Sequence, residues 1–74
     1  MRPDLVVMAD RHVIESRKHI ADQIRRIRAM ERRGEDTSFS RTLLETMRRS
    51  LAMHESHREN ILDLLACIGP AIHA

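Results

Sequence analysis

The sequence predicts an all-α fold: an antiparallel two-helix hairpin of coiled-coil type that pairs with a second copy into a four-helix bundle. Three observations carry that expectation. Strong helix formers dominate a chain of 74 residues with only two Gly, two Pro and one aromatic residue, Phe39, whereas half-buried strands would want more aromatics. Turn and capping residues gather mid-chain in Gly34-Glu35-Asp36-Thr37-Ser38, between two long helix-compatible stretches. Apolar residues in both stretches recur with a helical period. The chain is one domain, 1–74, with helix 1 over about 3–33, the turn at 34–38, helix 2 over about 38–68 and a tail at 69–74.

Helix 1 opens at Met1-Arg2-Pro3-Asp4, where proline is tolerated in the first turn and Asp4 sits at the positive end of the helix dipole. Val6, Val13, Ile20 and Ile27 then recur every heptad, and Val7, Ile14, Ala21 and Ile24 widen the stripe on one side. Arg11, Lys18, Arg25 and Arg32 keep the same period on another face, with Arg28 beside them. Arg32-Arg33-Gly34 ends the helix, with cations at its negative end and a glycine able to turn left-handed.

Asp36 is the preferred N-cap of helix 2, with Thr37 and Ser38 as alternatives. Its apolar stripe is Leu43, Leu44, Met47, Leu51, Ile61, Leu64, Leu65 and Ile68, and Gly69-Pro70 is the expected stop. The remainder, Ala71-Ile72-His73-Ala74, is expected to be a frayed tail, with Ile72 tucking back onto the bundle as the alternative.

Facing residues of an antiparallel pair have numbers that add to a nearly constant total. Ile27 with Leu44, Ile20 with Leu51 and Val6 with Leu65 share one total, and Val13 with Arg58 completes the set if Arg58 leans outward along its aliphatic stem. A second row pairs Gln23 with Ser50, His19 with His54 and Ser16 with His57, and His12 continues it opposite Ile61. This row predicts a polar seam in the middle of the hairpin.

One seam is little core for a chain of this length. Val7, Ile14, Leu43, Leu62 and Leu64 flank it and are expected to be buried against something else, most economically a second copy in a two-fold four-helix bundle. Charge supports pairing: nine Lys/Arg face five Asp/Glu up to Arg33, and four face six from Gly34 onward. A single cysteine excludes an internal disulfide, no signal-peptide pattern opens the chain, and no apolar run is long enough to cross a bilayer, so the sequence reads as cytoplasmic without membrane contact.

The segments ADRHVIESRKHIADQIRRI, GEDTS and LLETMRRSLAMHESHRENIL, within residues 9 to 65, resemble a family of uncharacterised short bacterial proteins with two helices and a Gly-x-Asp-Thr turn. The resemblance implies the hairpin. That family has no established activity, so it assigns no functional residue.

Chemistry is weighed at three places. In the histidine row, His19, His54 and His57 with Glu15 nearby could converge on a metal, although His-Glu-Ser-His is one residue short of the His-Glu-x-x-His zinc motif. The favoured alternative is a polar seam that fixes register, and a third is a pH-sensing interface loosened when the imidazoles charge. The basic stripe, Arg11, Lys18, Arg25, Arg28 and Arg32, could track phosphates of a nucleic acid. Glu15 and Asp22 within its reach, and the lack of stacking aromatics, favour a solvated face instead. Serines beside histidines suggest a nucleophile, but regular helices offer no oxyanion hole, so no enzyme activity is expected. Nor does His57-Arg58-Glu59-Asn60 fit the phospho-accepting helix of sensor kinases. Met8, Met30 and Met47 read as core gap-fillers, Met53 as an edge or partner-facing residue, and Cys67 as an unactivated thiol.

The expected function is that of a small, non-catalytic interaction or regulatory module: a homodimeric bundle without cofactors, with an unidentified protein partner as a further possibility. A nucleic-acid-binding dimer and a histidine-based metal-binding or pH-sensing bundle are the two alternatives.

Overall fold

The computed structural model describes the backbone of residues 4–73 and the side chains of residues 4–67. Two helices make up the fold, α1 (Leu5–Arg32) and α2 (Ser38–His73), and among the described residues there is no strand. The molecule measures 63 × 22 × 14 Å, so it is two helices wide and one helix thick.

Each helix end is closed by the residue types its chemistry requires. At the start of α1 the Asp4 carboxylate accepts the Val6 amide at 2.8 Å, satisfying one of the orphan donors of the first turn. Met1–Pro3, including the proline expected in that turn, lie outside the described residues. At the other end Gly34 takes φ 72°, its amide donates to the Glu31 carbonyl at 3.0 Å, and the Glu35 amide donates to the Met30 carbonyl at 2.9 Å. This pair of bonds is a Schellman closure, and it reverses the chain within a few residues. The Arg33 guanidinium grips the Glu35 carboxylate at 2.7 and 3.2 Å, holding that carboxyl below its ordinary range.

The cap of α2 is divided between two residues. The Thr37 carbonyl opens the helical ladder by accepting the Arg41 amide, while the Asp36 carboxylate accepts both the amide and the hydroxyl of Ser38, at 2.9 and 2.7 Å. Downstream, α2 continues through Gly69-Pro70 to His73, past the stop expected after residue 68. Proline lacks its own N–H and crowds the carbonyl four residues back, here that of Ala66, and with three helical residues beyond it that loss is confined to the last turn. The tail expected to fray is thus helical as far as His73, and the Ile72 side chain, whose tucking back was the alternative, lies outside the described residues.

The helices meet along a heptad seam. On α1 it runs through Val6, Ala9, Val13, Ser16, Ile20, Gln23, Ile27 and Met30, spaced three and four apart in alternation. From Thr37, just ahead of α2, the same spacing gives Ser40, Leu44, Met47, Leu51, His54, Arg58 and Ile61, and every other described α2 side chain is exposed. Burial is deepest at Ala9, Val13, Gln23 and Ile27, yet no described side chain is completely enclosed. Met8, expected in the core, stands at an exposed position beside the seam because the heptad passes from Val6 to Ala9.

Gln23 is the polar residue of that buried set. Its side-chain amide donates to the Ser40 carbonyl at 3.0 Å, and the Ser40 hydroxyl donates to the Met30 sulfur at 3.3 Å. A buried amide left unpaired would be costly, so this bond specifies where the first turn of α2 sits against α1.

Candidate interaction surface

The seam divides the outside of the hairpin into two flanks of different chemistry. On one, Asp10, Arg17, Ile24 and Glu31 follow each other every heptad along α1, facing α2 residues with the same period. Three interhelix ion pairs form there: Arg17 with Glu55 at 3.0 Å, Glu31 with Arg41 at 2.6 Å, and Asp10 with Arg58. Arg58 thus keeps its stem in the seam near Val13 and turns its head group to Asp10, which resolves the apolar-against-charge layer. These pairs were not anticipated from sequence. Their signal is present, since opposite charges recur at the positions that flank a heptad seam. Val7 and Ile14 lie farther out on this flank, and Ile14 borders a groove of about 540 Å³ shared with both ion pairs of its level.

The opposite flank carries the histidines. His12 of α1 stacks on His54 of α2, with ring centroids 5.3 Å apart and planes within 9° of parallel. Next along, Ser16 and His19 share a groove of about 150 Å³ with Met47 and Ser50. The expected polar row is therefore not formed: His54 meets His12 and not His19, and Ser16 lies near Ser50 and not His57. The seam keeps the register that puts Ile27 with Leu44 and Val13 with Arg58, so the difference lies in which flanking side chains reach across it, and packing decides that. Gln23, expected opposite Ser50, is held instead by Ser40.

His19, His54 and His57 are likewise kept apart. His54 is engaged with His12, and His57 lies exposed beside Met53 and Asn60. Among the described residues, no group of three or more His, Cys, Asp or Glu side chains is placed to hold a metal ion.

The basic stripe occupies the line of α1 farthest from the seam. Arg11, Lys18, Arg25 and Arg32 are all exposed there, and Arg25 is paired with Asp22 of the same helix. Arg28 turns away from them and borders a groove on the ion-pair flank with Ile24 and Glu31.

A second row on the histidine flank was not singled out from sequence. Phe39, Leu43, Thr46, Ser50, Met53, His57, Asn60, Leu64 and Cys67 run along α2 at alternating spacings of four and three, and every one is exposed. None is Asp, Glu, Lys or Arg, in a chain that is 32% charged. On the other flank of α2, by contrast, five of the eight corresponding positions between Ser38 and Leu62 are charged. Phe39 is 80% exposed and Met53 72%, so the largest apolar side chains of the row stand in solvent in the single chain. Leu5 and Met8 extend the same flank onto α1. The flanking residues expected to share one buried face are thus split, with Leu43 and Leu64 here and Val7, Ile14 and Leu62 on the ion-pair side.

No helix among the described residues is long and apolar enough to cross a membrane. No protein-family model, no curated protein and no solved structure matches this chain.

Proposed function

We propose that this chain is a non-catalytic interaction or regulatory module that works as a homodimeric four-helix bundle. One observation carries the reading. Two helices of this length leave Leu5, Val7, Ile14, Phe39, Met53 and Leu64 each more than half exposed, while the buried apolar core is Ala9, Val13 and Ile27. A single seam with so little buried apolar surface is a weak source of stability, and association of two hairpins removes the remaining apolar rows from water. The grooves are shallow and lined by ion pairs or by packed serine and histidine, which suits association better than enclosure of a small substrate. Light scattering on the purified full chain tests the reading. Two copies per particle at micromolar concentration is the expected result, and a single copy would overturn it.

A second reading is favoured by the outer line of α1. Arg11, Lys18 and Arg32 make no ion pair among the described residues, and they lie at heptad multiples along one exposed edge. A helical edge of this kind could follow the phosphates of a nucleic acid. Binding to a short duplex that weakens steeply with added salt would support this use of the bundle, and no binding at low salt would remove it.

A further inference from the structure

We infer that the surface used for self-association is the histidine flank, and that the second copy docks on it antiparallel, α2 against α2, with the two-fold axis at Met53. This rests on the homodimer reading and specifies its geometry. The uncharged row of α2 is self-complementary about Met53. In that arrangement Leu43 faces Leu64 of the other copy, and Phe39 faces its Cys67. Between them Thr46 faces Asn60 and Ser50 faces His57, so apolar positions meet apolar ones and polar meet polar. The Thr46 hydroxyl already donates to the Thr42 carbonyl of its own helix, so its oxygen is left to accept from the Asn60 side-chain amide of the other copy.

The same two-fold brings α1 against α1, and there the charges agree. Glu15 falls near His19 of the other copy, and Asp22 near its His12. The long axis is polarised in the matching sense. Residues 19–52, around the turn, hold eight Arg against five Asp/Glu, whereas residues 4–18 and 53–73 hold four Lys/Arg against six. Antiparallel hairpins lay each basic end beside an acidic one. A parallel dimer would instead set Leu43 near Arg26 and Met53 near Glu15, burying apolar groups against charge. The ion-pair flank is the poorer candidate, because docking there would desolvate the Arg17–Glu55 and Asp10–Arg58 pairs.

Thiol cross-linking on the full chain, read beside its mass in solution, tests the geometry. Met53→Cys in a Cys67→Ser background is expected to form covalent dimers with a short thiol cross-linker, and Ile14→Cys in the same background to form none. Native Cys67 should not cross-link, since at 1.5 Å rise per residue the two copies of it lie about 40 Å apart. In parallel, Leu43→Glu is expected to give a monomer with a lower melting temperature than wild type, while Ile14→Glu stays dimeric. A dimer that links through Ile14→Cys, or through native Cys67, would overturn the flank or the orientation and leave self-association standing. A wild-type chain that is monomeric would overturn both.

Discussion

The imidazoles of His12 and His54 lie face to face across the two helices, 5.3 Å apart, at a level where a heptad seam would ordinarily place aliphatic side chains. His54 is the seam residue and is half-buried, whereas His12 is exposed beside it. The stack covers the seam at the cost of keeping two polar rings there. Replacing His54 with Leu should therefore raise the melting temperature, because a buried aliphatic group is worth about 1 kcal/mol more at such a site, or roughly 4–8 °C for a chain of this size. Thermal unfolding at fixed protein concentration checks this. A lower melting temperature would show that stacking outweighs burial at that layer.

Gln23 offers a sharper perturbation. It is 3% exposed and its only described bond is the donation to the Ser40 carbonyl, so Gln23→Glu would set a buried carboxylate against a carbonyl oxygen. A loss of about 3 kcal/mol is expected at neutral pH. Burial raises the pKa of such a carboxyl in the folded state, and its protonated form can again donate to Ser40. The deficit should therefore shrink as the pH falls through that raised value, and denaturant titrations at pH 7.5 and 5 would show it.

Gly34 is the residue on which the reversal depends, because φ 72° is a conformation that side-chain-bearing residues rarely adopt. Open space surrounds the position where a Cβ would sit, so the expected penalty for Gly34→Ala is backbone strain alone, about 1 kcal/mol. Gly34→Asn should cost less. An equal loss for the two would locate the penalty elsewhere.

Asp36 gives the hairpin an acid-sensitive hinge. The Ser38 hydroxyl, and then the Ser38 amide, hold its carboxyl below the ordinary range. A group depressed on folding contributes stability above its unfolded pKa and loses it as the pH falls through the folded one. Asp36→Ala should therefore lower the melting temperature at pH 7, and the gap between wild type and variant should close below about pH 4. A gap that is constant with pH would mean that the carboxylate charge plays no part in the cap.

What could be read from spacing, and what could not, separates cleanly at these residues. Gly34 and Asp36 declared the turn because their backbone and capping chemistry is local. Ile27 with Leu44 and Val13 with Arg58 were paired by number, and each pair lines a common groove in the structure. The histidine row failed although the seam kept its register, because pairing by number fixes the level of facing positions and not which flanking side chains meet across them, and His54 had to be seen on His12. Pro70 misled for a different reason: near a helix end its steric cost falls on one turn, which a general breaker rule overstates. The uncharged row from Phe39 to Cys67 was visible in the letters throughout. Its meaning emerged only when the seam showed that all nine residues face outward together.

Self-association is the claim on which the rest depends, and the solution mass of the full chain measures it most directly. Multi-angle light scattering at pH 7.5 with a chelator present should return twice the 8.6 kDa chain mass, independent of dilution through the low micromolar range. A particle of 8.6 kDa under those conditions would contradict the account, leaving the row centred on Met53 to a different protein.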